Sequence, residues 1–257
     1  MIDLNHCQKV FCQYVNQYDK SIGLIQLKIV HTFKVVEICK ELCSWLKLNE
    51  EETSIALLIS LLHDLGRFEQ YRLYQSFEDY KTIDHALLSS YLLFEEGMIR
   101  WFIEEDDYDE IIKISIEQHN KYRIDENIDK RTLLFVHLIR DADKLDNFRV
   151  KESESIETLF NISLEELQSE TISEDVYQQF MNNELIYAPT RNTHLDMWIS
   201  YIAFIYDLYF KESVFYIDKN NWIERSFSRI KPIEKDKYDQ LKNNMKKYVK
   251  ERIESED

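Results

Sequence analysis

Apolar residues recur along the chain at helical spacing. Between residues 24 and 46 they follow one another at steps of three and four, which places them on one helical face. His31 shares that face, so its imidazole is predicted to point into the core. The segment 55–62 is apolar at all but one position and predicts a helix buried on every side. Asn49 and Glu52 precede it at the spacing of a capping box.

The predicted buried helix ends in a histidine and a carboxylate, His63 and Asp64. Burying these two groups costs several kcal/mol unless they are paired or bind a metal. Both are good ligands for divalent transition metals, and a buried ion pair with an arginine is the alternative. Gly66 is expected to end the helix in the left-handed conformation. Residues 67–83 lose helical spacing and are expected to form a loop over the pair.

The remaining segments also read as helices. They are expected at 4–18, from Thr82 or Asp84 to Gly97, after the acidic turn 104–107, at 129–149, as short exposed helices within 150–180, at 195–210 and at 235–254. Three glycines and two prolines are too few for a sheet-rich fold with many tight turns. The chain is therefore predicted to be all-α, and without a long linker we expect a single domain over 1–257.

The charge balance limits the partners that the chain can bind. Its 32 basic and 48 acidic residues give a net charge of −16, which opposes binding to nucleic acid or to an anionic membrane. No glycine-rich phosphate loop of the GxGxxG or GxxxxGK[ST] type is present. The first residues lack the basic and apolar regions of a secretory leader, so none is expected, and no apolar run approaches the roughly 18 residues that a membrane span needs. We expect a soluble, cytoplasmic protein.

Four cysteines, Cys7, Cys12, Cys39 and Cys43, lie among apolar neighbours in helical sequence. Their spacing contains no CxxC pair, which argues against a structural zinc site. They are expected to be buried free thiols in a reducing compartment.

Further metal-ligand residue types occur on other predicted helices. His85 and His119 each share a face with apolar residues, and Asp141, Asp143 and Asp146 follow an apolar stretch. Any one of them alone fits a core or surface role. Four histidines on separate buried helices, together with carboxylates, favour a shared metal site. The other histidines lack such a setting and are expected to be structural or surface residues: His6, His137 and His194.

Two stretches, LLHDLGRF and IRDADKLDNF, resemble the signature of the HD-domain superfamily of metal-dependent phosphohydrolases, which is H…HD…D on a helical bundle. The resemblance covers roughly residues 25–150. It implies an HD-type bundle as the metal-binding core, with additional C-terminal helices in 151–257.

The resemblance also implies the ligands. His31, His63 and Asp64 are implied as the first three, and Asp143 as the last because family members place that aspartate in an A-D-[KR]-L context. Asp141 remains the alternative, as a ligand or as a partner of one.

Two readings of the intervening histidines carry equal weight. In members with two metals, His85 and His119 would bind a second ion together with Asp64. In members with one metal, similarly placed histidines contact substrate or water. By ligand type the ion would be Mn²⁺, Fe²⁺, Ni²⁺, Co²⁺ or Zn²⁺, and Mg²⁺ suits imidazoles less well.

The activity implied is hydrolysis of a phosphate ester, of a nucleotide or a related small phosphorylated metabolite, by metal-activated water. Asp64, Arg67 and Lys144 are expected to take part in catalysis. Cationic side chains must hold the phosphate, and the candidates are Arg67 and Lys144, followed by Lys121 and Arg123.

Several subfamily signatures of the superfamily are absent. Neither an HDxxED extension nor a GYP motif is present, and HDLGRFEQ stands where triphosphohydrolases have an HDLGH-type continuation. The phosphate ester is therefore left open. A dinuclear-iron oxygenase of the same superfamily and a non-catalytic nucleotide sensor are the alternatives.

Overall fold

The structure is a computed structural model that describes residues 2–255, and all regular secondary structure in that range is helical. The helices of the first half are α1 (Leu4–Val15), α2 (Gly23–Trp45), α3 (Glu50–Leu62), α4 (Leu65–Tyr74), α5 (His85–Ser90), α6 (Asp109–Gln118) and α7 (Lys130–Ser153). Those of the second half are α8 (Ile156–Phe160), α9 (Leu164–Ser169), α10 (Glu174–Met181), α11 (His194–Ile202), α12 (Lys211–Lys219), α13 (Trp222–Arg229) and α14 (Lys235–Glu254). The predicted all-α class is confirmed.

Short irregular helical segments lie between these helices. A π-helical turn, Tyr91–Glu95, continues α5, and Gly97 in the left-handed conformation follows it at φ 74°. The 3₁₀ segments are Asp79–Lys81, Met98–Trp101, Ala188–Thr190 and Ala203–Asp207.

The helices group into two compact units, with the boundary between Asp143 and Lys144, inside α7. In the first unit α3 packs on α1, α2 and α6, and α5 packs on α4 and α6. In the second unit α14 packs on α10, α12 and α13. A single domain over 1–257 stays a prediction.

Helix α3 is buried on every side, as its apolar sequence predicts. Every residue from Ser54 to Leu62 is buried, because α3 meets three other helices of its unit. Burying one Leu or Ile side chain contributes about 1.5–3 kcal/mol, so this helix anchors the core of the first unit. The capping box is present: Glu52 N donates to Asn49 Oδ1 at 2.9 Å, and Asn49 N donates to Glu52 Oε2 at 3.1 Å.

The loop predicted at 67–83 is wrong in its first half. Residues 65–74 form α4, and Gly66 lies inside this helix without a left-handed φ. A Cβ on Gly66 would lie 2.6 Å from Ser89 N and 2.7 Å from His85 O. The glycine is therefore required because α4 and α5 approach each other closely, and α4 ends instead at Gln75, which has φ 55°.

Other predicted segments differ in extent. The aromatic helix predicted at 195–210 ends at Ile202 and continues as a 3₁₀ segment. The short helices within 150–180 are present but bury Leu167, Val176 and Phe180, so they are not wholly exposed. The predicted C-terminal helix 235–254 is confirmed.

The thiol prediction holds for three of the four cysteines. Cys7, Cys39 and Cys43 are buried and free, whereas Cys12 is exposed and free. Cys12 lies on the outer face of α1, which is amphipathic and buries Phe11 and Tyr14 instead.

The long helices all carry charged residues along their length. They are α2 with 23 residues, α7 with 24 and α14 with 20. Among the helices of residues 2–255, none combines the length and apolarity needed to cross a membrane.

Candidate metal centre

Six side chains of the first unit converge on one buried point. They come from α2, from the α3–α4 junction, from the ends of α5 and α6 and from α7: His31, His63, Asp64, His85, His119 and Asp143. All four imidazoles and the Asp64 side chain are buried. The sequence-predicted ligand set is thus brought together as a group.

Asp64 lies at the middle of the group. Its Oδ2 atom lies 3.7 Å from His31 Nε2 and 3.6 Å from His63 Nε2. Its Oδ1 atom lies 3.2 Å from His85 Nε2 and 3.9 Å from His119 Nε2. One carboxylate therefore presents a separate oxygen to each of two imidazole pairs, and each pair with Asp64 could hold a metal ion.

Asp143 completes the first of these groups. Its Oδ1 atom lies 3.0 Å from His31 Nε2 and 4.0 Å from His63 Nε2. Asp141 is buried, but a separation of two residues places it about 200° around the helix from Asp143. Asp146 instead pairs with Arg149 at 2.5 Å. The geometry therefore favours Asp143 as the aspartate of this group.

The hydrogen bonds of the imidazole rings turn three Nε2 lone pairs inward. His63 and His119 each meet a backbone carbonyl three residues earlier through Nδ1, at 2.8 and 2.6 Å. His85 Nδ1 meets Asp79 Oδ2 at 2.6 Å. Since carbonyl and carboxylate oxygens only accept, each Nδ1 carries the hydrogen and donates it. In the neutral form of each ring the opposite nitrogen, Nε2, is then an acceptor directed at Asp64, as in histidine metal ligands.

The inward nitrogens of His85 and His119 face each other, whereas that of His63 has no hydrogen-bond partner. His85 Nε2 and His119 Nε2 lie 3.1 Å apart. Burial lowers the pKa of His119 to about 3, with a further contribution from His85, so His119 is neutral at pH 7. His63 Nε2 is buried and makes no hydrogen bond. An unsatisfied buried acceptor such as His63 Nε2 is costly, and a divalent cation in each of the two groups would satisfy these nitrogens. The residues therefore fit a metal.

The two carboxylates are ionised, as metal ligands must be. Burial raises the pKa of Asp64, but the Lys28 ammonium and His63 lower it more, and the result is well below the usual range. Burial likewise raises the pKa of Asp143, and the hydrogen bond from His31 reverses this, leaving a net decrease. The centre thus concentrates the negative charge of two carboxylates among four imidazoles.

Three of the four cations predicted to hold phosphate have different surroundings. Arg67 lies beside the candidate metal centre, with its Nε atom 3.6 Å from Asp64 Oδ1. Lys121 Nζ lies 3.2 Å from Asp84, the N-cap of α5. In the second unit, Lys144 Nζ forms an ion pair with Asp207 at 2.9 Å. A role for these cations in phosphate binding stays a prediction.

Lys28 was not identified from the sequence. Its Nζ atom lies 2.6 Å from Asp64 Oδ2. Lys28 precedes His31 by three residues on α2, a spacing that places two side chains on the same helical face. That spacing is the signal by which it could have been found.

Asp79 and Gln70 were missed as well, although they fix the position of His85. Asp79 Oδ1 accepts from Arg67 Nη1 at 2.7 Å and from Gln70 Nε2 at 2.9 Å, while Oδ2 meets His85. Gln70 is fully buried and also donates to Ile83 O at 2.9 Å. Burial raises the pKa of Asp79, but His85 and Arg67 together lower it by more, and the resulting pKa is about 2. Through these hydrogen bonds, helix α4 holds the segment that precedes His85 in place.

We expect Asp79→Asn to weaken metal binding by the Asp64–His85–His119 group. The charged acceptor of the His85 ring is lost, and such partners are typically worth about 10–100-fold in metal affinity. Metal-free protein can be titrated with Mn²⁺ in a calorimeter. The Mn²⁺ affinity of the group that contains His85 and His119 should fall, and that of the group that contains His31 and His63 should be unchanged. Glu78→Gln is the matched control, because Glu78 is exposed and pairs with Lys81. An equal effect on both classes would contradict this role.

The chain was compared with known families, curated proteins and solved structures. Residues 29–147 match the family model of the HD domain. No curated protein and no solved structure matched the chain. The matched range contains all six side chains of the centre, and the resemblance seen in the sequence is confirmed. Residues 29–147 thus form an HD domain, which supports membership of the HD-domain superfamily.

Proposed function

We propose that this protein is a metal-dependent phosphohydrolase that cleaves a phosphate ester of a nucleotide or of a related small phosphorylated metabolite. One observation carries the proposal: Asp64 lies between two pairs of imidazoles and presents one oxygen to each pair. The HD domain, whose superfamily is one of metal-dependent hydrolases, supports it.

The residues that would hold divalent ions form two groups around Asp64. His31, His63 and Asp143 complete one group, and His85 and His119 complete the other. When bound, such an ion lowers the pKa of water and offsets the charge on phosphoryl oxygens. By ligand type, Mn²⁺, Fe²⁺, Ni²⁺, Co²⁺ and Zn²⁺ are the ions proposed.

The chain itself positions the reactants. In hydrolysis the oxygen of water bonds to phosphorus, and the ester oxygen leaves and takes up a proton. Asp64 and Asp143 supply fixed negative charge, and the Nδ1 hydrogen bonds of His63, His85 and His119 fix the ring orientations. This preorganisation means that the ligands need not reorient during the reaction.

Arg67 is proposed to contact the phosphate through one nitrogen. Its Nη1 group donates hydrogen bonds to Gln70 Oε1, Phe77 O and Asp79 Oδ1. Its Nε atom is buried beside Asp64 and makes no hydrogen bond. The Nε–H group is thus a fixed donor at the edge of the centre, suited to a phosphoryl oxygen. Lys121 and Lys144 are proposed as further substrate contacts.

The proposed partner is a small anion and the proposed location is the cytoplasm. A net charge of −16 disfavours nucleic acid and anionic membranes as partners. The lysine and arginine next to Asp64 supply positive charge where a small phosphate would bind.

A dinuclear-iron oxygenase is the second candidate, because two ligand groups that share Asp64 also suit a pair of iron ions. The two activities differ in their need for oxygen. Hydrolysis releases phosphate without oxygen, whereas an oxygenase consumes it. A nucleotide sensor would bind nucleotides without turnover.

The test is metal analysis of protein purified without chelator, followed by anaerobic assays on mono-, di- and triphosphate esters. We expect one or two equivalents of a divalent transition metal and release of phosphate. Treatment with a chelator should abolish release, and the metal should restore it. Removal of the metal by the chelator should also lower thermal stability, since a ligand present at 100 times its Kd contributes about 2.7 kcal/mol. Oxygen uptake without anaerobic phosphate release would reject the proposal in favour of the oxygenase.

A further inference from the structure

Lys28 occupies a position that the predicted ligand set does not explain. Its Nζ atom lies 2.6 Å from Asp64 Oδ2, the oxygen that also faces His31 and His63. The Lys28 side chain is 20% exposed, against 3% for Asp64. The Lys28 side chain therefore reaches from solvent to the buried Asp64 at the edge of the centre.

A metal ion held by His31, His63 and Asp143 would draw on the same Asp64 oxygen that Lys28 contacts. Two cations that share one carboxylate oxygen repel each other, and the repulsion is strong where water is largely excluded. The contact between Lys28 and Asp64 must therefore weaken when such an ion binds. In this respect Lys28 is a competitor of the ion.

The surroundings of Lys28 offer its ammonium a second use. The side chain is flexible and carries three donors. Its Nζ atom lies 5.9 Å from the centre of the Phe77 ring, and the Arg67 guanidinium lies 5.8 Å from the centre of the same ring. The two cations that lie beside Asp64 thus both face the ring of the half-buried Phe77. A phosphoryl oxygen brought to this edge would replace the charge that Asp64 no longer offers to Lys28.

We propose that Lys28 is a further substrate-binding residue, which competes with a metal ion for Asp64 Oδ2 and donates to a phosphoryl oxygen once the ion is bound. The second half rests on the proposed function. A competing lysine and a purely structural lysine would affect metal affinity in opposite directions. A lysine that only supports Asp64 would favour the ligand geometry, so its removal would weaken metal binding.

The first arm of the test is the affinity of metal-free, full-length protein for Mn²⁺, measured by calorimetry. We expect Lys28→Met to bind Mn²⁺ about tenfold more tightly, because a charge-assisted hydrogen bond to Asp64 no longer has to be broken. Lys34→Met is the matched control: Lys34 lies on the same helix and also has an ion-pair partner, Glu37 at 2.6 Å, but it is 43% exposed. It should leave the Mn²⁺ affinity unchanged. Weaker or equal Mn²⁺ binding by Lys28→Met would overturn the competition.

The second arm is the affinity of the Mn²⁺-loaded protein for inorganic phosphate. We expect Lys28→Met to bind phosphate about tenfold more weakly and Lys28→Arg to keep most of the affinity, since one charge-assisted hydrogen bond is removed or retained. Unchanged phosphate binding by Lys28→Met would overturn the substrate role. Lys28→Gln provides the same two comparisons if the methionine variant does not fold.

The two arms separate failure of this proposal from failure of the proposed function. Neither arm depends on turnover. A wild-type protein that hydrolyses no phosphate ester would refute the phosphohydrolase, while the Mn²⁺ titration would still decide whether Lys28 competes for Asp64.

Discussion

Asp64→Asn is expected to abolish metal binding by both ligand groups and to reduce phosphate release about a thousandfold. A metal ion contributes several kcal/mol of charge stabilisation to such a reaction, and each ~1.4 kcal/mol corresponds to a factor of ten in rate. Asp64 supplies one oxygen to each imidazole pair, so a single substitution affects both groups. An amide keeps the size of the side chain but loses the charge that attracts the ions. Metal content per chain and phosphate release are the measurements.

The control for Asp64→Asn is a second buried aspartate in the other unit. Asp196 is fully buried and accepts hydrogen bonds from Ser173, Asn192 and Thr193. We expect Asp196→Asn to lower thermal stability and to leave the metal content of the folded protein unchanged. If Asp64→Asn kept its metal and its rate, the central role of Asp64 would be wrong.

The inward placement of the candidate ligands could be predicted because each of them follows a strong local pattern. His31 falls on the apolar stripe of α2, and His63 and Asp64 end a helix whose residues are all buried. Helical periodicity therefore indicated that these side chains point inward, and the HD-type motifs indicated that they belong together. The sequence predicted that these side chains converge, but the distances between them come only from the structure.

The surroundings of the ligands could not be predicted, because they depend on contacts between distant segments. Gln70 is buried only because α4 packs over the segment that carries Asp79, and a sequence of mixed charges does not reveal this. The contact between Lys28 and Asp64 joins residues 36 positions apart. A lysine in a helix is more often solvated than buried, so its residue type gave no signal.

Gly66 shows how one residue type can serve two purposes. Directly after a buried helix, a glycine is typical of a left-handed helix end, and the sequence alone supports that interpretation. The structure uses the missing Cβ instead, to let α4 approach Ser89 and His85 on α5. Only the position of the partner helix distinguishes the two uses.

Gly66→Ala is expected to destabilise the protein by about 1–3 kcal/mol, the usual cost of overpacking. The added Cβ would lie 2.6 Å from Ser89 N and 2.7 Å from His85 O, and these are backbone atoms that cannot move without moving α5. At roughly 2–4 °C per kcal/mol for a chain of this size, the melting temperature should fall by about 5 °C. Thermal unfolding followed by circular dichroism is the measurement.

The matched control for Gly66→Ala is Gly23→Ala, because a Cβ on Gly23 has no atom within 4 Å and its φ is not left-handed. Alanine there should be neutral or stabilise by about 0.4–1 kcal/mol, because it restricts the unfolded chain. The two variants separate the loss of a glycine from the loss of close packing. Since α5 begins at His85, Gly66→Ala should also weaken Mn²⁺ binding by His85 and His119. If both variants had equal stability and metal affinity, the close approach of α4 and α5 would not be what requires the glycine.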